Sequence, residues 1–296
     1  MGTHSPWVSR VLGKLGHEVI VANARQVKVI SQSNKKNDKR DAEVLARLVR
    51  ADRKLLAPIQ HRGEMAQGDL VAVRMRAHFV ELRTQTINAV RGLVKSVGAR
   101  LAACDADSLN RKHAAELPPA IRPCIEQMLE VIETLTQQIE KSDEVLKQIS
   151  KERYAKETAQ LQQVKGVGPV TALTFVLTLD DPARFNKSRD VGAFLGLRPK
   201  SNQSGTSEPE MRISKEGDSY LRAMLVQCGQ YILGRRGPDT DLKRWGLRLA
   251  SKGRKNAKKR AVVAVARRLA VLLHALWISG EPYEPLRHNC EAAQAA

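Results

Sequence analysis

The chain of 296 residues is poor in acidic side chains, with 31 Asp and Glu against 50 Lys and Arg, which gives a formal net charge of +19. An ordinary metabolic role does not account for so large a positive excess. The field it produces favours a polyanion, because each phosphate that a Lys or Arg neutralises releases condensed counterions. Nucleic acid is therefore the favoured partner class, although ribosomal and membrane-surface proteins share this balance and charge alone assigns no activity.

Cysteine is also scarce, and the four cysteines are scattered along the chain at Cys104, Cys124, Cys228 and Cys290. None forms a CxxC pair, which argues against a zinc ribbon. The histidines are scattered as well, and His4 and His17 have no ligand spacing with any cysteine. The pattern predicts reduced, mostly structural thiols in a cytosolic protein.

Long apolar runs are the third absence. No uninterrupted run reaches the roughly 18 to 20 residues that a bilayer-spanning helix needs. The N-terminus lacks the charged-then-apolar order of a secretory signal. We therefore expect a cytoplasmic protein with no membrane partner.

The first fifty residues have the pattern of an incomplete α/β layer. Residues 7–15 have helical apolar spacing with Gly16 as a C-cap, 18–23 form a β-branched run typical of a buried strand, and 41–49 form a second amphipathic helix. One strand cannot make a sheet. Either the partner strands come from elsewhere, or the natural protein starts earlier.

Two long helical segments follow, at about 64–97 and 118–157. In the second, apolar residues alternate spacings of three and four, as in a heptad seam: Ile125, Met128, Ile132, Leu135, Ile139, Val145, Leu146 and Ile149. This seam predicts an antiparallel hairpin or an oligomeric coiled coil, and the packing of a plain helical bundle explains it equally well.

The segment 164–172 contains Gly166 and Gly168 and resembles the turn of a helix-hairpin-helix. In such a turn, backbone N–H groups at the start of the second helix can hold a phosphate. Many turns between helices contain Gly only to adopt a positive φ, so the motif alone is weak. In so basic a chain, contact with the DNA backbone explains this motif as well as a purely structural turn does.

Cations concentrate in two further places. A Ser-, Gly- and Lys-rich stretch at 200–217 lies between helical segments at 190–195 and 220–233, and a long loop of this kind is often functional. A second cluster precedes an apolar helix at 261–278 and could be a solvated helix face or a phosphate-contacting patch. The candidate nucleic-acid contacts in these two places are Lys200, Arg212, Lys215, Lys252, Arg254, Lys255, Lys258, Lys259 and Arg260.

Two sets of side chains could carry chemistry. Asp38 and Asp41 lie three apart at a helix start, where they could cap the helix or, on one helical face, hold a hard divalent cation through oxygen ligands. Ser204 lies in the basic loop, where a hydroxyl can attack a phosphodiester if cations stabilise the developing charge. By residue type alone, capping explains the aspartates and an ordinary loop explains the serine.

An ordered series of short motifs changes both interpretations. The series is Gly2-Thr3-His4-Ser5-Pro6-Trp7, Gly16-His17-Glu18-Val19, Lys36-Asn37-Asp38-Lys39-Arg40-Asp41-Ala42, Gly166-Val167-Gly168-Pro169, Phe185, Gly196-Leu197-Arg198-Pro199, Gln203-Ser204-Gly205, Ile213-Ser214-Lys215-Glu216-Gly217 and Arg287-His288-Asn289. It covers nearly the whole chain. In this order the motifs resemble the DEDD-type transposases of bacterial insertion sequences, the IS110 family.

The resemblance implies a mainly α-helical chain with a partial α/β part. It implies a remnant of a ribonuclease-H-like (RuvC-like) DEDD domain at 1–60 and a helical coiled-coil segment at 61–158. A helical C-terminal transposase domain with the helix-hairpin-helix-like turn follows at 159–282, with a tail at 283–296.

The resemblance also implies residue roles. Asp38 and Asp41 resemble the last pair of the family's four acidic ligands for a divalent metal, Mg²⁺. Ser204 corresponds to the serine that attacks DNA and becomes transiently linked to it. A structured RNA of the element is implied as a guide, besides DNA and a homo-oligomeric assembly, in a bacterial, nucleoid-associated setting.

The chain departs from the family where its first Asp and its Glu are expected, before the segment at residue 2, because Met1 stands there. Glu18 and Glu43 lie on different elements and are poor substitutes. We therefore expect an N-terminally truncated chain that is defective in DNA cleavage and strand transfer. The alternatives are a non-catalytic nucleic-acid-binding remnant or assembly partner of an intact transposase, and a basic coiled-coil scaffold.

Overall fold

The computed structural model describes residues 3–25, 27, 37–201, 211–253 and 256–287, which form two compact units, Met1–Gly63 and Glu64–Ala296. Within these described ranges the chain is mainly helical and contains no β-strand. Its α-helices, numbered here in chain order, are α1 Ser5–Lys14, α2 Asp38–Ala51, α3 Glu64–Ser96, α4 Arg122–Arg153, α5 Ala155–Gln162, α6 Pro169–Leu179, α7 Ser188–Phe194, α8 Ser219–Leu233, α9 Asp241–Ala250 and α10 Ala257–Ser279. Short 3-10 helices lie at Arg53–Leu56, Arg111–Ala114 and Pro182–Arg184.

The predicted strand at 18–23 is wrong: this segment of the first unit is extended but forms no strand. Two backbone hydrogen bonds tie it to the chain that follows α2, from Ile59 N–H to the Val21 carbonyl (2.9 Å) and from Asn23 N–H to the Leu56 carbonyl (3.0 Å). Two such bonds do not make a ladder. The β-branched run therefore stays extended without becoming part of a sheet.

The first unit leaves much of its apolar surface uncovered. Trp7 and Leu15 of the α1 region are 62% and 68% exposed. An open cavity of about 650 Å³ lies between α1, the extended segment and α2, lined by apolar side chains that include Leu12, Ile20 and Val49. Both predicted helices are confirmed, but the assignment of this unit to a RuvC-like domain stays a prediction.

Helices α3 and α4 of the second unit form an antiparallel hairpin. The end of α3 packs on the start of α4 in one apolar cluster that includes Val90 and Leu129. The start of α3 packs on the end of α4 in another, which includes Leu70 and Leu146. Of the alternatives for the heptad seam, the structure shows pairing within the chain, while Val145 of the seam is 44% exposed.

Helices α5 to α10 enclose the main core, with α6 at its centre. Every residue of α6 from 171 to 179 is buried, and α10 packs against α7, α8 and α9. By length and composition alone α10 could cross a bilayer, so the expectation that no apolar stretch is long enough is wrong for this helix. Its apolarity has a simpler cause, because Val265, Leu269 and Leu273 are fully buried in the core.

The described cysteines are free, as predicted from their spacing: Cys104 is partly exposed, Cys124 is exposed and Cys228 is buried. Burial raises the pKa of the Cys228 thiol, which favours its neutral form. Cys290 lies outside the described residues.

A buried carboxylate links the hairpin to the helical core. The Asp69 side chain on α3 is only 7% exposed and accepts hydrogen bonds from the Arg153 guanidinium and, at 2.9 Å, from the Tyr154 hydroxyl. Burial, together with the hydrogen bond to Asp69, raises the pKa of the Tyr154 hydroxyl above its ordinary value. Both donors lie where α4 ends and α5 begins, so the carboxylate fixes that corner against α3.

Replacing Asp69 by Asn should lower the free energy of unfolding by about 1–3 kcal/mol, because the buried charge-assisted hydrogen bond is lost. Denaturant unfolding of both proteins measures the difference. Glu144→Gln on α4 is the matched control, since Glu144 and its partner Lys147 are 71% and 64% exposed and the loss should not be resolvable. Equal stability of the wild type and Asp69→Asn would contradict the role given to this carboxylate.

Candidate nucleic-acid interface

Two chain segments, 196–200 and 212–216, run antiparallel and are here called the ribbon. Pro199 and Ile213 lie opposite each other in a single β-bridge. The flanking backbone bonds run from Lys200 N–H to the Arg212 carbonyl (3.0 Å) and from Ser214 N–H to the Arg198 carbonyl (2.9 Å). The residues between the two segments, 202–210, lie outside the described residues, and Ser204 is among them.

The base of the ribbon is a close approach of two glycines to opposing backbone. Gly196 (φ +68) and Gly217 (φ +74) both have left-handed backbone conformations. A Cβ on Gly196 would overlap the Glu216 backbone, and one on Gly217 would overlap the Phe194 carbonyl. Only glycine satisfies both the conformation and the space at these two positions.

The Arg222 guanidinium on α8 straps the same base. Its Nη1 donates to the Leu195 carbonyl at 2.9 Å and to the Glu216 carbonyl at 2.8 Å, one on each side of the ribbon. Helix α8 is itself anchored at its start, where the Asp218 side chain caps Leu221 N–H at 2.8 Å. The ribbon therefore projects from a fixed point on the core.

The ribbon has an inner apolar side and an outer cationic side. Leu197 is 1% exposed and Ile213 packs on the same core. Because side chains alternate between the faces of extended chain, Arg198, Lys200 and Arg212 share the outer face, and all three are exposed. The structure thus brings the predicted contacts Lys200 and Arg212 together, at the stem of the segment that carries Ser204.

Lys215, the third predicted contact of this loop, has a left-handed backbone with φ 57. Its N–H bonds to the Gly196 carbonyl at 3.1 Å, so the second segment turns at this residue as it reaches the ribbon base. A left-handed backbone conformation costs conformational free energy for a lysine. Such strain is concentrated at functional sites.

The helix-hairpin-helix-like turn joins α5 to α6. Gly166 has φ +101 and lies against the Tyr231 ring, so its conformation requires glycine. Gly168 differs, because its φ is −82 and a Cβ there would meet nothing within 4 Å. Helix α6 begins at Pro169, and no side chain caps its first turn, so no capping side chain covers the backbone N–H groups there.

The second predicted cluster lies around the start of α10. Lys258, Lys259 and Arg260 occupy its first turn and Lys252 lies just after α9, all four exposed. This first turn has no acidic residue, although the positive end of a helix dipole disfavours cations. Arg254 and Lys255, predicted as part of this cluster, lie outside the described residues.

Asp38 and Asp41 both lie in the first turn of α2, but neither is its cap. That role belongs to Asn37, whose side-chain oxygen accepts from Lys39 N–H at 2.9 Å. The capping alternative for the two aspartates is therefore wrong, since Asn37, one residue before Asp38, is the N-cap.

The described residues do not complete a metal site around this pair. Among them no three His, Cys, Asp or Glu lie close enough together to hold an ion. The two nearby candidates are engaged elsewhere, Glu18 with both terminal nitrogens of Arg53 and Glu43 with Arg47. Asp38 and Asp41 fit two oxygen ligands of a divalent cation but not a whole site.

Sequence reasoning missed one residue of the ribbon, Arg198, and one residue that fixes its base, Arg222. Arg198 was visible only as part of a motif, and Arg222 only as one cation of an amphipathic helix. Period-two alternation from Leu197 could have placed Arg198 on the same face as Lys200. Nothing in the sequence signalled the Arg222 strap, because it depends on two carbonyl groups that are brought together by the fold.

Gly217→Ala should lower the free energy of unfolding by about 2 kcal/mol or more, because the left-handed backbone costs about 1–2 kcal/mol and the overlap with the Phe194 carbonyl adds to it. Thermal or denaturant unfolding tests this. Gly98→Ala is the matched control: its φ is +76, but a Cβ there meets nothing within 4 Å. Equal losses in the two variants would show that the close approach at the ribbon base is unimportant.

The chain is similar to transposases over almost its full length. Residues 1–98 match the transposase model for DEDD proteins of the IS110 group, and residues 158–243 match the model "Transposase IS116/IS110/IS902 family". The IS1111A transposase of Coxiella burnetii is 28% identical over 95% of this chain and 77% of its own length. A Sinorhizobium fredii protein named as a transposase, y4pF/y4sB, is 30% identical over 95% of this chain and 72% of its own length. A Pseudomonas aeruginosa protein named as a family 20 transposase is 27% identical over 94% of this chain and 82% of its own length. The chain therefore belongs to the IS116/IS110/IS902 family of insertion-sequence transposases.

Proposed function

We propose that this chain is a DNA strand-exchange enzyme of its insertion sequence in which Ser204 is the nucleophile. Membership of the family establishes DNA transposition as the process. The observation that carries the serine assignment is the ribbon, whose outer face sets three cations at the stem of the segment that bears Ser204. Ser204 follows Lys200 by four residues, which span at most about 14 Å, so both residues can act on the same stretch of DNA backbone.

The chemistry of a serine at this place is a phosphoryl transfer. The Ser204 hydroxyl oxygen forms a bond to phosphorus, the bond from phosphorus to one sugar oxygen breaks, and that oxygen gains a proton in place of the one lost by the serine. Negative charge grows on the phosphoryl oxygens in between, where the ribbon cations stabilise it. Attack by a second DNA hydroxyl reverses the step and joins the strands.

DEDD transposases generally use a divalent metal. In this chain Asp38 and Asp41 would supply two carboxylates to Mg²⁺, whose role would be to activate an attacking or leaving oxygen. Among the described residues no third acid joins this pair to complete a metal site.

The wider basic surface fits further nucleic-acid contacts. The turn at Gly166 and Gly168 and the exposed cations at the start of α10 would bind phosphate backbone. A structured RNA of the element is the second polyanion that we propose as a partner, in a homo-oligomeric assembly on bacterial DNA in the nucleoid. The partly exposed Val145 of the hairpin seam is available to such an assembly.

A second candidate function is binding without catalysis, as a remnant or as an assembly partner of an intact transposase. The incomplete acidic set around Asp38 and Asp41 favours it. The ribbon and the start of α10 do not depend on those carboxylates. Nucleic-acid binding would therefore be retained even though the acidic set is incomplete.

Ser204→Ala should abolish any covalent adduct between the protein and radiolabelled DNA taken from either side of its gene. Denaturing gel electrophoresis of reactions containing Mg²⁺ measures the adduct. Ser201→Ala, which removes a hydroxyl from the same segment, is the control and should retain it. An adduct that persists in Ser204→Ala would contradict the assignment of Ser204 as the nucleophile. If the wild type forms no adduct at all, the result would favour the binding function.

The polypeptide 1–296 should give far less of this adduct than the Coxiella burnetii relative on its own element ends, by roughly a factor of 100 or more, because its described residues do not hold a complete set of metal-binding carboxylates. Parallel reactions with Mg²⁺ and with a chelator measure the metal-dependent part. Metal-dependent strand exchange at the level of the relative would show that residues 1–296 do complete the site.

A further inference from the structure

The outer face of the ribbon places like charges directly across from each other. The bond from Lys200 N–H to the Arg212 carbonyl sets these two residues opposite, and Arg198 lies two positions along the same face. Opposed side chains start about 5 Å apart, and like charges at that separation destabilise the pairing. Since the chain keeps three cations here, the arrangement suits a bound anion better than it suits the ribbon alone.

Within the described part of the chain, no acidic partner relieves this repulsion. Among the described residues, none of the three cations makes an ion pair, and Glu216 is the sole acidic residue of the ribbon. Two arginines of the α3–α4 hairpin are held differently. Arg76 pairs with Asp143, and Arg83 with Asp107, each at 2.5 Å. Arg76 and Arg83 of the hairpin are thus neutralised within the fold, whereas no ion pair among the described residues neutralises the ribbon cations.

We propose that Arg198, Lys200 and Arg212 form a clamp for a single backbone phosphate of the DNA strand that this protein acts on. This rests on the proposed function and adds to it a defined contact, in which the three cations bind the same phosphate. A guanidinium offers a planar fork of donors that matches two phosphate oxygens, while Lys200 supplies a compact charge beside it. The attraction of each cation for a phosphate bound between them offsets the repulsion among the three cations.

The base of the ribbon explains why such a clamp would be effective. The close approach at Gly196 and Gly217 and the two bonds from Arg222 fix both segments before any ligand arrives. Preorganised cations lose less freedom on binding, so more of their attraction is expressed as affinity. DNA is the favoured occupant, because the clamp stands at the stem of the segment that carries the proposed nucleophile.

The test is the salt dependence of binding to a short DNA duplex of arbitrary sequence, since a phosphate contact does not depend on base sequence. Arg198→Gln should weaken binding roughly tenfold at low salt and reduce the slope of log affinity against log salt by about 0.9, the value of one lost phosphate contact. Arg198→Lys should keep the slope, because the charge remains. All three residues are exposed, and circular dichroism confirms that each variant is folded.

Lys141→Gln on α4 removes the same charge from an exposed position on the hairpin and should leave the slope unchanged. Equal slopes for the wild type and Arg198→Gln would overturn the clamp, as would an effect of Arg198→Gln on an RNA duplex but not on DNA. The proposed function fails separately, if the covalent adduct does not depend on Ser204 while the Arg198 slope still falls. The clamp alone fails if the adduct depends on Ser204 and the slope does not move.

Discussion

The close backbone contact at the ribbon base is the constraint on which the rest of the site depends. Gly196 and Gly217 have conformations and surroundings that no side chain tolerates, and Arg222 bonds to a carbonyl on each side of them. From this point two short segments leave the core with their apolar side inward and their cations outward. Without it, Arg198, Lys200 and Arg212 would be three separate surface charges.

Charged residues in this protein serve two different purposes, and their partners separate them. Asp69 is buried and holds Arg153 and Tyr154 at the corner between the hairpin and the core. Among the described residues the ribbon cations have no such partner, although they face one another. Pairing of the first kind stabilises the fold, while unrelieved repulsion of the second kind indicates a polyanionic ligand. The net charge of +19 could not distinguish the two.

The helices could be predicted from the sequence because their apolar spacing and their caps are local signals. The hairpin of α3 and α4 and the apolar α10 follow from periodicity, although only the structure shows that the heptad seam closes within the chain. The strand at 18–23 could not be judged in the same way, since a β-branched run becomes a strand only when a neighbour supplies its hydrogen bonds.

Site residues divide along the same line. Lys200 and Arg212 were found by composition, but their shared face depends on antiparallel pairing between segments separated by eleven residues of sequence. Asn37 has the capping role expected of Asp38 or Asp41, because its side-chain oxygen accepts from Lys39 N–H at the helix start. The Ser204 assignment came from resemblance, and the ribbon gives it a physical setting.

The most direct test of this account is to identify the residue that carries DNA after the reaction. Trypsin should release residues 201–212 as one peptide, since Lys200 precedes it and Arg212 ends it. Digestion of the covalent adduct with trypsin and nuclease, followed by mass spectrometry, should find the nucleotide on Ser204 within that peptide. A nucleotide attached to Ser201, to Ser207 or to any peptide outside 201–212 would contradict the account.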